Sequence, residues 1–186
     1  MLDKRFDKTD FTLIPLDKEE YESCVFLNCD FSNSDISEII FMECVFENCN
    51  LSMVKLNRTA LRDIRFTNCK MLGLRFENCN QVGLSVSFKN CNLNLSSFFR
   101  TKLKKTTFTG VKLQEADFSE CDLSSSVFDE CDLTRAAFQG TIIEKADFRT
   151  SFNYSIDPEN NRIKGAKFAL AGVPGLLDKY NLEIEF

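Results

Sequence analysis

Large apolar side chains return at every fifth position along most of this chain. From Phe6 the series runs through Phe11, Leu16, Tyr21, Phe26, Phe31, Ile36, Phe41, Phe46, Leu51, Leu56, Leu61, Phe66 and Met71 to Phe76. After a break it resumes at Phe88 and continues through Leu93, Phe98, Leu103, Phe108, Leu113, Phe118, Leu123, Phe128, Leu133, Phe138 and Ile143 to Phe148. A smaller residue stands two positions before the large one, as at Cys24, Cys29, Cys44, Cys49 and Val54, and later at Val111, Ala116, Cys121, Ser126 and Cys131. Small and large residues separated by one outward residue fit an extended strand, whose side chains alternate between faces. The next pair must then turn the chain, so five residues make one short side and one corner. An α-helix needs apolar spacings near 3.6, which this register excludes.

The number of sides follows from which residues recur. Phe and Leu or Ile alternate strictly from Phe88 to Phe148, so a turn of 15 residues stacks Phe on Leu, whereas a turn of 20 stacks like on like. Phe6, Phe26, Phe46, Phe66, Phe88, Phe108, Phe128, Phe148 and Phe168 form such a ladder, with steps of 20 except for one of 22. Strand spacing of about 4.8 Å per rung makes about eight coils a rod roughly 40 Å long. The expected class is all-β, a four-sided β-helix.

The unit small-x-Phe/Leu-x-x, as in ADFSE, CDLSS and AAFQG, resembles the pentapeptide-repeat family over about residues 4–168. The resemblance implies a right-handed quadrilateral β-helix. It predicts a repeat domain over 1–168 and a C-terminal cap or dimerisation segment over 169–186. The 22-residue step predicts a two-residue bulge near Gln81, Val82 and Gly83. The segment 151–162 drops the motif and carries turn-forming Asp157, Pro158 and Asn160. In AGVPGLLDKY, Pro174 stands where a helix starts and Asn181 where one stops, and Leu182, Ile184 and Phe186 then alternate. This predicts a short helix and a strand capping the open end of the coil.

Composition narrows the chemistry. All nine cysteines occupy the small inward slot, where a free thiol serves as a small hydrophobe. Cys29, Cys49, Cys69 and Cys91 fall in one column about 4.8 Å apart, wider than the Cβ separation disulfides prefer and unable to converge on zinc. No histidine is present, which removes the commonest general base and metal ligand. No catalytic, cofactor or metal residue is nominated. The opening MLDKRFDKTDF lacks the apolar run of a secretory signal, and no stretch approaches ~18 apolar residues, so the expectation is a soluble cytoplasmic protein away from membranes.

Charge is banded. Residues 1–50 hold twelve acids against four bases, 51–111 two against eleven, and 112–149 nine against four, within a net charge of −5. The outward carboxylates Asp117, Glu120, Asp122, Asp129, Glu130 and Asp132 are the candidate partner-binding residues, spaced along a rod as phosphates are along a duplex. The basic middle, from Lys55 and Arg58 to Lys104 and Lys105, opens the alternative of nucleic-acid contact. It lacks a recognition motif, which puts a protein partner ahead of nucleic acid.

The full-length repeat, its interruption and the ending FALAGVPGLLDKYNLEIEF resemble the quinolone-resistance (Qnr) branch of the family. That resemblance implies a non-enzymatic DNA mimic binding DNA gyrase or topoisomerase IV, as a homodimer joined through its C-terminal ends. The corresponding interface residues are Val173, Leu176, Leu177, Tyr180, Leu182, Ile184 and Phe186. A rod with another protein partner is the alternative.

Overall fold

In a computed structural model of the chain, which describes residues 1–185, the five-residue units wind into a parallel β-solenoid with four sides. One side is a seven-stranded sheet of β1 (Arg5–Asp7), β3 (Val25–Leu27), β5 (Val45–Glu47), β7 (Ile64–Thr67), β8 (Val86–Lys89), β9 (Thr107–Thr109) and β10 (Val127–Asp129). A second side pairs β2 (Glu20–Glu22), β4 (Ile40–Met42) and β6 (Ala60–Arg62). The other two sides are held by single parallel bridges, such as Lys70↔Asn92↔Lys112↔Asp132 and Arg75↔Ser97↔Asp117↔Ala137.

The large inward residue of each side lies on its equivalent in the next coil. Along the main ladder, ring centroids are 4.9 Å apart for Phe6 and Phe26, 4.6 Å for Phe26 and Phe46, and 4.6 Å again for Phe108 and Phe128. A second ladder, Phe76, Phe98, Phe118 and Phe138, meets the first edge to face, as where Phe108 and Phe118 lie 6.2 Å apart at 87°. Offset stacks and edge contacts are both favoured by the ring quadrupole.

Corners need a backbone turn within two residues, and the second of the pair takes positive φ coil after coil. Asn28, Asn48, Asn68 and Asn90 do so at one corner, with φ of 53° or 54°. Most corner residues are not glycine, and a left-handed conformation costs roughly 1–2 kcal/mol per L-residue. Asparagine lowers that cost with its own side chain: Asn68 donates to Asn48 (3.2 Å), Asn48 to Asn28 (3.3 Å) and Asn28 to Asp7 (2.9 Å).

The register changes once. Ala60 bridges Asn80 with a 20-residue offset, whereas Ile64 pairs with Val86 and Phe66 with Phe88 at 22. The two additional residues therefore enter between Asn80 and Val86, where Val82 is 73% exposed and Gly83 turns with φ +72°. The ladder survives, with Phe66 and Phe88 at a wider 5.5 Å.

Two expectations need correction. About eight coils are expected, but the three- and four-residue strands span about six turns, and after Asp129 the ladder continues only through the single bridges Val127↔Asp147 and Asp147↔Lys167. The C-terminal cap is helical as expected, but its helix does not start at Pro174 and no strand follows it among the described residues. Residues Leu170–Leu176 and Asp178–Tyr180 are 3-10 helices with Pro174 inside the first, and 182–185 pair with no strand among the described residues. Gly172 and Gly175, three apart, fall on one edge in 3-10 geometry, and both lie against Tyr154.

Replacing Phe128 by alanine is expected to cost about 3–5 kcal/mol in urea unfolding, because the cavity is lined by rings that cannot collapse along the axis. A loss under about 1 kcal/mol would contradict the stacked interior.

Candidate partner-binding surface

The small inward residue does more than fill space. In coil after coil it donates to the carbonyl of a large residue one coil earlier. Cys49 reaches Phe26 O (3.3 Å), Cys69 reaches Phe46 O (3.4 Å) and Cys131 reaches Phe108 O (3.4 Å). Where the slot holds a hydroxyl the same bond is shorter, from Ser126 to Leu103 O and Ser151 to Phe128 O at 2.7 Å, and from Thr141 to Phe118 O at 2.9 Å. All nine thiols are free and buried. Burial pushes Cys44 up to about 11 and Cys79, Cys121 and Cys131 up to about 12, from an ordinary 9.0. Among the described residues no group of three or more His, Cys, Asp or Glu is arranged to hold a metal ion, and no helix is long and apolar enough to cross a membrane.

The charged side chains lie on the outside of the rod. The six nominated carboxylates encircle it instead of sharing one face. Asp117 bridges Ser97 and Ala137 on one side, Asp122 bridges Lys102 and Ile142 on the next, Asp129 ends β10, and Asp132 bridges Lys112 and Phe152 on the fourth. Three of them serve the backbone: Asp117, Asp122 and Asp132 accept the amides of Ser119 (2.8 Å), Ser124 (3.1 Å) and Thr134 (3.1 Å), two residues on. Burial opposes ionisation of Asp122, but Ser124 and Lys104 hold its carboxyl below the usual value. Burial likewise opposes ionisation of Asp132, which Thr134, Gln114 and Asn153 keep low. Glu120 is bidentate with Arg100 at 2.7 and 3.2 Å, stitching the acidic coils to the basic ones. The Asp129 carboxylate accepts only the Thr150 hydroxyl (2.9 Å), and the Glu130 carboxylate has no partner, among the described residues.

At the other candidate surface, Tyr180, Leu182 and Ile184 are exposed by 50%, 58% and 40%, while Val173, Leu176 and Leu177 are half-buried. Leu176 packs on the core, and Phe186 lies outside the described residues. The cap is clamped to the irregular coil at 151–162. Lys179 bridges Asp157 (2.7 Å) and Glu159 (2.6 Å), the Tyr180 hydroxyl donates to Glu159 (2.8 Å), and Ile156 N donates to Gly175 O (2.9 Å).

Sequence reasoning missed this clamp, since nothing in the repeat pairs 157–159 with 179–180. It also missed the outward apolar residues Val25, Leu27 and Val45 on one side and Ile40 and Met42 on its neighbour, all half-buried. Apolar residues in slots where the repeat places polar ones were the available signal.

The family model described as a pentapeptide repeat region matches residues 20–84 and 83–153. Two trypsin-treated forms of QnrB1, a plasmid-mediated fluoroquinolone resistance protein, superpose with TM-scores of 0.67 and 0.65, both at 18% identity. The first covers 99% of both chains, the second 100% of this chain and 98% of the other. Full-length QnrB1 superposes at 0.53 with 15% identity, covering 98% of this chain and 99% of its own. At such identities the likeness is one of fold. No curated protein matches the sequence.

Two outcomes follow for stability. Thiols with raised folded values stay neutral while those of the unfolded chain ionise near 9, so the unfolded state sheds protons first and stability falls as pH climbs from about 9 toward 12. Urea midpoints are expected to drop between pH 8 and 10.5, and to drop less in a Cys44→Ala, Cys121→Ala, Cys131→Ala variant; equal slopes would refute the thiol contribution. An alanine Cβ at Gly175 would lie 2.1 Å from the Tyr154 carbonyl oxygen. Gly175→Ala is therefore expected to cost about 1–3 kcal/mol and to expose 169–186 to limited proteolysis; wild-type resistance would show that the cap is not seated this way.

Proposed function

Because the chain belongs to the pentapeptide-repeat family, we propose that it acts without catalysis, by binding another protein along the outside of its rod. The observation that carries this reading is the division of its polar groups. Thiols and hydroxyls in the inward slot are spent on backbone carbonyls, while charge is confined to outward positions on a regular lattice.

The partner we infer is DNA gyrase or topoisomerase IV, bound by mimicry of DNA. Support comes from the Qnr-like sequence ending and from anionic positions that the fold itself does not consume, Asp129 and Glu130 first and Glu120 once Arg100 is displaced. Asp117, Asp122 and Asp132 belong to the same surface but carry backbone duties as well. In a gyrase supercoiling assay, titration with this protein is expected to inhibit the enzyme or protect it from a quinolone. Neutralising Asp129, Glu130 and Glu120 is expected to abolish that effect with the fold intact. Neither inhibition, protection nor direct binding at any concentration would remove topoisomerase and leave a rod for a different protein.

We propose further that the protein is a two-fold homodimer joined through 169–186, where Tyr180, Leu182 and Ile184 present apolar surface beyond what covers the last coil. Light scattering is expected to give a dimer mass, falling to a monomer when 182–186 are deleted. A monomer mass for the intact chain, or an unchanged dimer after the deletion, would refute it.

A further inference from the structure

The basic middle of the rod is not uniform. Arg58, Arg75, Arg100 and Lys104 are spent on Glu38, Glu77, Glu120 and Asp122. Lys70, Lys89 and Lys112 are all exposed, and none is in an ion pair among the described residues. The fold gathers these three around one corner. Lys70 and Lys112 stand two rungs apart on one side with Asn92 bridging each of them, and Lys89 stands on the adjoining side between Thr67 and Thr109. The corner between the two sides is Asn68, Asn90 and Gly110.

Three features make this corner a receptive groove. A cleft of about 460 Å³ follows it, lined by Asn68, Lys70, Asn90, Asn92, Gly110 and Lys112. Gly110 (φ +62°) keeps it open, since a Cβ there would lie 2.6 Å from Asn90 Oδ1. The amide ladder that runs from Asn68 to Asp7 does not extend to Asn90, whose side-chain amide is free to turn its nitrogen to a ligand, and Asn92 accepts the Asn94 amide through Oδ1, leaving its nitrogen free. The carboxylate one rung beyond Lys112, Asp132, is turned to Thr134, Gln114 and Asn153, and Glu47 and Asp129 lie one rung from Thr67 and Thr109.

We propose that the corner groove lined by Lys70 and Lys112, with Lys89 on the adjoining side next to Asn90, binds a phosphate group, the ammonium groups supplying charge and the Asn90 and Asn92 amides supplying directed hydrogen bonds. The source is either a free polyphosphate or the backbone of a nucleic acid, and this site does not depend on the topoisomerase reading.

The test titrates the full-length protein with tripolyphosphate and, separately, with a short DNA duplex, following backbone amide resonances. Shifts centred on Asn90, Asn92 and Gly110 are expected with at least one ligand. A Lys70→Gln, Lys89→Gln, Lys112→Gln variant is expected to bind at least about tenfold more weakly, while Lys55→Gln, Lys102→Gln, Lys105→Gln, with the same change in charge, stays within about twofold. If the duplex is the ligand, the slope of log K against log salt should fall by roughly 2.7 in the first variant, at about 0.9 per phosphate contact. Saturation by tripolyphosphate that the duplex fails to displace identifies a small phosphate instead. Absence of binding by both ligands near 0.15 M salt, or equal weakening in the two variants, would overturn the proposal.

Discussion

Everything in this molecule depends on a side chain meeting its own equivalent one coil away. A four-sided coil has an interior so narrow that each side contributes one large and one small residue, and close packing then requires the next coil to repeat the choice. Phe108 on Phe128 on Phe148, at 4.6 Å per step, is the result. The same repetition lets the fold absorb two additional residues between Asn80 and Val86: they leave the interior at an exposed turn, and the ladder resumes in phase. A single additional residue inside a strand would instead have reversed every side chain beyond it.

The repeat also decides which polar groups remain for a partner. The inward slot takes cysteine, serine and threonine, whose second duty of donating to a carbonyl one coil back is met well by a hydroxyl and weakly by a thiol, while alanine there only fills the space. The outward position before each large residue favours aspartate or asparagine because the side chain accepts the amide two residues on, as at Asp30, Asp35, Asn50, Asn92 and Asp117. Part of the negative charge along the chain is thus a by-product of corner building. The carboxylates proposed for recognition, Glu120, Asp129 and Glu130, stand outside that pattern and so differ from the aspartates around them.

The ladder, the number of sides and the burial of every cysteine were legible in the sequence, because each is a statement about period and the solenoid is periodic. The C-terminal cap was not, because it is the place where period ends. Pro174 and Asn181 carry ordinary helix start and stop signals, but the cap is seated by Gly172 and Gly175 meeting Tyr154, a contact between the cap and a coil that had itself lost the motif. The distribution of carboxylates escaped for a related reason. Counting acids by segment sums over all four sides, so a band that encircles the rod looks the same as a face. The phosphate groove shares this cause, since Lys70, Lys89 and Lys112 converge only once the 22-residue step and the corner are both known.

The most direct test of the account is amide hydrogen exchange resolved residue by residue on the native chain. Inter-coil bonds run from Lys70 N to Cys49 O, Asn92 N to Cys69 O, Lys112 N to Cys91 O and Asp132 N to Val111 O, all close to 3.0 Å. Slow exchange is expected at these positions and at their equivalents on the other sides, recurring every 20 residues and stepping once by 22 between Asn80 and Val86. Slow exchange recurring at a helical spacing, or a register that keeps 20 through that segment, would contradict it.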